Sequence, residues 1–383
     1  MSTTQYDYAI VGAGAAGLHL LFAMLEEPWF SDKSILILEK DSKTSNDRTW
    51  CYWEKGPGKW DDIVEKQWEQ GHFITKQQDI NFSLLPYRYK MLHSLAFYNL
   101  GKERISKAAR VHWVEEEIMD MENRNDHIFI QGRKQAFRAG QVFDSRIAPT
   151  DPQILDQSIY LYQPFKGWFI RTEEPVFDPS SFVMMDYRLK MGDSTSFTYV
   201  LPTSAHEALI EFTLFTPELV DENIYDQYLT RYISEILQLD VYEITREEQG
   251  IIPMTNYPFH KSSQERIVKI GTGGSWVKPS TGYSFKNAEK MARKITRNLT
   301  AGLSPTRGMY SKKFHWYDTL FLDVLYNRNE LGEGLFTSMY QKNPIQQIFS
   351  FLDQESKWIQ ELRIMASFDS LPFIRALGRQ LAR

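Results

Sequence analysis

Near its N-terminus the chain reads Tyr6-Asp7-Tyr8-Ala9-Ile10-Val11-Gly12-Ala13-Gly14-Ala15-Ala16-Gly17-Leu18, a β-prone apolar run that enters a G-x-G-x-x-G turn and leaves it as an apolar helix, Ala15 to Leu25. Each glycine answers a separate requirement. Gly12 allows the tight turn, Gly14 lets backbone approach a pyrophosphate, and Gly17 lets the helix pack closely on the strand. Phosphates then sit on a helix N-terminus, where unpaired N–H groups and the helix dipole favour an anion. A second strand, Ser34-Ile35-Leu36-Ile37-Leu38, ends at Glu39, near the offset of about 20 residues at which an acid meets a ribose hydroxyl. Strand, turn, helix, strand and acid together describe a dinucleotide-binding unit, with Gly12, Gly14, Ala16, Gly17 and Glu39 as its candidate cofactor residues.

At 383 residues the chain is long enough for two domains, interleaved or in series, and for burial of a large cofactor. Its 44 basic and 49 acidic residues are mixed throughout, for a net charge of −5, so no basic stripe marks a polyanion site and nucleic acid is not an expected partner. Cys51 is the only cysteine, which excludes an intrachain disulfide and a cysteine-based zinc or iron–sulfur cluster and fits a reducing compartment. The eight histidines are scattered without H-x-x-x-H spacing, and no metal is expected. No signal-peptide pattern opens the chain, and no apolar stretch approaches the ~18 residues that span a bilayer, so a soluble or peripheral protein is expected.

After the opening unit comes Arg48-Thr49-Trp50-Cys51-Tyr52-Trp53, which is either a buried aromatic corner or a place where Arg48 reaches cofactor while Trp50 and Tyr52 line a cavity. A helix is expected from about Phe97 to Arg110. Short strands are expected at 111–114, 127–130 and 141–144, the last returning to the first sheet. The runs 182–189, 197–202 and 208–215 are β-rich and joined by short turns, which favours an antiparallel meander. Along the third run Leu209, Glu211, Thr213 and Phe215 share one face, and Ile210, Phe212 and Leu214 the other. Glu211 is thus an acid in apolar company, unless its face turns to solvent.

A helix is expected over 225–240, and 251–254 reads as a loop or edge strand. Ile267-Val268-Lys269-Ile270 runs into Gly271-Thr272-Gly273-Gly274, and a helix follows Tyr283 through about Leu299, with Ser280 or Thr281 as N-cap. This late glycine loop either faces the far end of a long dinucleotide or is an ordinary connection. Beyond Phe314 the chain reads as helical and aromatic. Its last helix, apolar with interspersed arginines, suits either a core or an anionic interface.

Taken together these segments resemble the flavoprotein lycopene β-cyclases of bacterial type. The matching pieces are Gly12 to Gly17, Arg48 to Trp53, Gly167-Trp168-Phe169-Ile170 with Phe177-Asp178-Pro179, Met185-Asp186-Tyr187-Arg188, Phe197 to Pro202, Leu209 to Thr213, Gly250 to Met254, Pro279 to Tyr283 and Leu371-Pro372-Phe373. They span nearly the whole chain. The resemblance implies a mixed α/β fold: a glutathione-reductase-like, FAD-binding Rossmann domain with an inserted antiparallel substrate-binding sheet and C-terminal helices. The expected division is 1–58, 97–150 and 245–302 for the FAD domain, 59–96 and 151–244 for the substrate domain, and 303–383 for a helical region that touches a membrane.

The reaction it implies is an isomerisation of the intramolecular-lyase type. A terminal C=C of linear lycopene is protonated, a neighbouring double bond attacks the tertiary carbocation, and loss of a ring proton leaves a β-ionone ring. Two closures give β-carotene by way of γ-carotene, without net redox change. FAD is used in its reduced form, with NAD(P)H as priming reductant. The family's acid is a glutamate in a short motif often written with two consecutive acids and a threonine. Here Ile210-Glu211-Phe212-Thr213 carries the first acid to Glu211 and has Phe212 at the second.

Further cofactor contacts are expected from Arg48, Gly271, Thr272 and Gly274, although Gly271-Thr272 stands where many FAD enzymes have Gly-Asp. The substrate wall is expected from Trp50, Tyr52, Trp168, Thr213 and Phe215, with lycopene or related carotenoids as ligand. A cytoplasmic protein peripherally bound to membrane lipid is implied. A carboxyl group in an apolar pocket stays neutral and keeps a proton to give, as the mechanism requires. The alternative readings are an FAD-dependent monooxygenase or a prenyl or geranylgeranyl reductase on the same fold, and a non-catalytic binding protein.

Overall fold

A computed structural model describes residues 5–382. Strand Gln5–Val11 is apolar on both sides, as a strand inside a parallel sheet must be. Tyr8 and Ile10 face one core, and Ala9 and Val11 face another. It pairs in parallel with Ile35–Glu39 on one side and Ala136–Asp144 on the other, and Ile35–Glu39 pairs in parallel with Val111–Glu115. The C-terminal half of Ala136–Asp144 carries Ile267–Lys269 in parallel, while its N-terminal half joins an antiparallel pair, Ile118–Asn123 and Ile128–Gly132. Helices Ala15–Glu26 and Phe285–Thr300 pack together over the face that holds Ile10, Ile37 and Phe143.

The second sheet has the strand order Glu243–Thr255, Tyr160–Arg171, Glu207–Phe215, Thr195–Pro202, Ser181–Asp186, Gln70–Ile74, Asp79–Ser83. All neighbours are antiparallel except Ser181–Asp186 with Gln70–Ile74. Alternation along Glu207–Phe215 divides as expected. Ile210, Phe212 and Leu214 are buried under helix Glu222–Arg231 and the π turn Tyr232–Ile236, whereas Leu209 and Phe215 face the core beneath the C-terminal helices. Those helices are Lys312–Asn327, Gly332–Lys342, Ile345–Leu352, Trp358–Met365 and Ser370–Leu381. Among the described residues no helix is long and apolar enough to cross a membrane.

A small third sheet, Thr49–Lys55, Tyr87–His93 and Lys66–Trp68, wedges between the two cores. Tyr52 and Leu92 point to the first, and Trp53, Tyr89 and Met91 to the second.

Three expectations are corrected. Residues 243–255 belong to the antiparallel sheet and not with the nucleotide fold. Their charged stretch hides a period-two pattern in which Arg246, Glu248, Gly250 and Ile252 turn inward. Within 59–96 only Gln70–Ile74 and Asp79–Ser83 join the large sheet; Lys66–Trp68 and Tyr87–His93 pair near Thr49–Lys55 instead. The helix after Tyr283 starts at Phe285 with Ser284 at the N-cap. Ser280 is engaged elsewhere, its hydroxyl donating to buried Asp318 at 2.6 Å, so it is not the cap.

A Cβ on Gly17 would fall 1.9 Å from the Gly12 carbonyl oxygen, and backbone cannot yield there without opening the turn. Gly17→Ala is expected to destabilise the protein by about 1–3 kcal/mol, read as a lowered midpoint in denaturant with an unchanged slope.

Candidate active site

The carboxyl ends of the parallel strands meet at one edge, the place where α/β folds bind ligands. Gly12 holds φ at +94°, and a Cβ there would lie 2.0 Å from Ser145 Oγ. Around Gly14, by contrast, a Cβ would meet nothing within 4 Å. The turn is therefore packed on both flanks and open in the middle. Gly14 is also the N-cap of helix Ala15–Glu26 and brings no capping side chain, which leaves first-turn N–H groups free for an anion. The Glu39 carboxylate accepts the Ala13 N–H at 2.6 Å and the Asp41 N–H at 3.1 Å, which fixes it beside the turn.

Gly271, at φ +61°, presses its turn onto Ala16; a Cβ on Gly271 would stand 3.0 Å from the Ala16 Cβ. Gly12, Gly14, Ala16, Gly17, Glu39 and Gly271 thus converge, and this open cradle fits the pyrophosphate and ribose of a dinucleotide. Gly274 is packed against the Lys269 carbonyl. Thr272 lines a different cavity, with His260, Tyr310 and His315. Arg48 is exposed, and its guanidinium donates to the Asp47 carbonyl at 2.6 Å. Thr272, Gly274 and Arg48 are not brought into the cradle.

Glu211 lines a pocket of about 120 Å³ together with Glu248, Thr49, Tyr199, Tyr283 and Ser284. Burial first, and the nearby Glu248 charge second, push the Glu211 carboxyl up to about 8, against a smaller lowering by the Thr213 hydroxyl, which donates to its Oε1 at 3.1 Å. Glu211 therefore holds a proton near neutrality, at a pKa suited to general acid–base work. Trp50 lines the same pocket and stacks on Phe285, the first residue of its helix, with 5.2 Å between centroids. Tyr52 stacks on the same ring at 4.9 Å but opens on a neighbouring cleft with Lys286 and Glu289.

Behind Glu211 lies an apolar cavity of about 440 Å³, walled by Met184, Met185, Phe215, Phe336, Phe368 and Phe373. Tyr199, Thr281 and Tyr283 stand in the walls of both spaces. Phe215 and Thr213 so take places beside the acid and its cavity. Trp168 does not. It pairs with Ile210 in register and is buried on the opposite face of the sheet with Tyr225 and Leu229, because strand alternation sends it away from Glu211. The same rule explains Phe212, whose ring stacks on Tyr228 at 4.7 Å. A second acid at that position would sit in an apolar core.

This fold is also found in solved structures of flavoproteins. A geranylgeranyl bacteriochlorophyll reductase-like protein from Thermoplasma acidophilum matches 99% of this chain and 100% of its own at 13% identity and a TM-score of 0.63. HpxO of Klebsiella pneumoniae, solved with FAD and uric acid, matches 91% and 96% at 14% identity and a TM-score of 0.63. The flavin-dependent brominase Bmp2 matches 98% and 99% at 13% identity and a TM-score of 0.57. No curated protein sequence matches the chain. A profile of the family described as lycopene cyclase protein, however, matches residues 7–377. The chain belongs to that enzyme family.

Sequence reasoning missed Glu248, Tyr199 and Tyr283. Glu248 lies within Arg246-Glu247-Glu248-Gln249, which reads as a solvated charged stretch; only strand alternation continued back from Ile252 would have turned it inward.

A carboxyl group whose pKa rises on folding costs stability as pH climbs from its ordinary value of 4.5 to the folded value of about 8, since the unfolded chain gives up that proton first. Glu211→Gln is expected to match the wild type in stability below pH 4.5 and to exceed it increasingly toward pH 8. Denaturant titrations across that range would show it, and a constant difference would contradict it.

Proposed function

We propose that the protein is a lycopene β-cyclase that works with reduced FAD and uses Glu211 as its acid. The observation that carries this reading is the place of Glu211, whose carboxyl burial and Glu248 push up to about 8, in a pocket that shares Tyr199, Thr281 and Tyr283 with an apolar cavity. A linear polyene has no polar handle, so its binding must rest on apolar walls, and the Met, Phe and Tyr side chains of the cavity supply them. Membership of the lycopene cyclase family supports the substrate class.

Glu211 gives its proton to the terminal C=C. The tertiary cation so formed sits beside Tyr199 and Tyr283, whose ring faces favour positive charge. Ring closure follows when the neighbouring double bond attacks, and the ring proton returns to the Glu211 carboxylate. Gly12, Gly14, Ala16, Gly17, Glu39 and Gly271 would hold FAD, which in its reduced form would supply negative charge to the site without being consumed. NAD(P)H is then needed only to prime it.

The C-terminal helices suit a substrate that resides in lipid. Trp358, Ile359, Leu362, Leu371, Ile374 and Leu381 are exposed there, and Ile374 also lines the cavity with Phe368 and Phe373. Apolar residues with Lys357, Arg363 and Arg375 among them form the kind of surface that lies on an anionic bilayer, and we place the cavity mouth against it.

In an anaerobic assay with lycopene in vesicles, cyclic product is expected to exceed the NAD(P)H oxidised many-fold; one nicotinamide per product would mark an oxidoreductase instead. Glu211→Gln is expected to lower turnover by roughly 10²–10⁴-fold with flavin still bound, and full activity in that variant would remove Glu211 from the mechanism. Replacing Trp358 and Ile374 by Glu should release the protein from vesicles containing anionic lipid in a sedimentation assay, without loss of flavin.

A further inference from the structure

Three adjacent strands place Glu211, Gly167 and Glu248 in one cross-strand row, since Gly167 pairs with Glu211 on one side and with Glu248 on the other. Residues directly opposite one another point to the same face, so both acids rise from the sheet on the side of the small pocket, which both line. Between them the middle strand offers no side chain. A Cβ on Gly167 would already meet Leu209 at 2.7 Å and the Glu211 side chain at 3.4 Å, so any larger residue would fill the gap across which the two acids face.

The surroundings of the two carboxyls differ. Glu248 Oε2 accepts the Thr49 hydroxyl at 2.6 Å; burial raises this carboxyl above its ordinary value, and the Thr49 hydroxyl, Arg246 and Arg48 act against burial in favour of its ionised form. Arg246 itself lies over the Phe169 ring and also feels Glu65, and its guanidinium reaches Thr49 and His93. Among the described residues no cation faces Glu211. Its neighbours are the Thr213 hydroxyl, Glu248 and the neutral groups Cys51, Tyr199 and Tyr283. Two carboxylates cannot both be charged cheaply in one small pocket, and the cations beside Glu248 favour charge there over charge on Glu211.

The geometry points to Glu248 as the ionised positioning partner of Glu211, a second carboxyl group supplied by the edge strand across Gly167 in place of a neighbour in the chain. Its charge does two things. It keeps Glu211 in the acid form before the O–H bond breaks in favour of the new C–H bond. It then makes the Glu211 carboxylate a stronger base when the ring C–H bond breaks, its electron pair entering the ring C=C and its proton returning to Glu211. Atoms and charge balance over the cycle, and Glu248 remains ionised throughout. Burial and the Glu248 charge are the two influences that raise Glu211, so removing the second should lower it.

This inference rests on the cyclase reading, and its test separates the two. Glu248→Gln keeps an acceptor for Thr49 and removes the charge; Glu248→Asp keeps the charge. The protonation of Glu211 is followed by the infrared C=O band of the neutral carboxyl group, assigned by its loss in Glu211→Gln, without substrate. The alkaline limb of kcat for cyclisation is followed in parallel. In Glu248→Gln the midpoint and the limb are expected to move down together by about one pH unit or more, and in Glu248→Asp to return toward wild type. A midpoint that stays within a few tenths of a unit in Glu248→Gln would overturn the role given to Glu248. If the infrared midpoint shifts but the wild type forms no cyclic product, the pairing stands and the cyclase reading fails.

Discussion

Asp144 is withdrawn from solvent, and a buried carboxylate must be paired or it unfolds its surroundings. Lys269 donates to its Oδ2 at 2.7 Å and Arg146 to its Oδ1 at 3.0 Å, while Lys269 also reaches the Arg146 carbonyl. These contacts tie the carboxyl ends of two parallel strands that lie far apart in sequence. The loops that leave them are the ones that complete the nucleotide edge: Ser145 closes on Gly12, and Gly271 closes on Ala16. Without that clamp the first glycine turn would be an open hairpin of backbone with nothing to set its far wall.

From this edge the site extends by packing. Phe285 begins the helix that follows the second glycine turn, and Trp50 and Tyr52 of the third sheet stack on it. The same sheet sends Tyr89 to the second core, where its hydroxyl meets that of Tyr283 at 3.2 Å. An aromatic seam thus joins the third sheet to the helix at Phe285 and to Tyr283 of the Glu211 pocket. The surroundings of Glu211 favour the neutral acid: burial first, the Glu248 carboxylate opposite, and, among the described residues, no cation in reach.

Legibility followed the range of the interaction. The opening glycine turn, Glu39 and the meander were readable because each is local: turn conformation, strand period and motif spacing act within about 30 residues. Glu211 was readable as an acid in apolar company, and the face it shares with Thr213 and Phe215 followed from alternation alone. Trp168 went astray because alternation has no origin until a partner strand is known; its pairing with Ile210 sets the face. Arg48 was read from its place in an aromatic cluster and Thr272 from the late glycine loop, but the Arg48 guanidinium turns to the Asp47 carbonyl and Thr272 lines another cavity.

The sequence by itself determined a dinucleotide-binding unit, an antiparallel sheet and one acid of interest, because steric and periodic rules are written residue by residue. Only the tertiary structure decided that Glu211 meets Glu248 over Gly167, that Thr49 and Arg246 act on Glu248, and that the pocket shares walls with an apolar cavity. Electrostatics in an enclosed space depends on distances between strands and helices remote in the chain, and no local pattern encodes them.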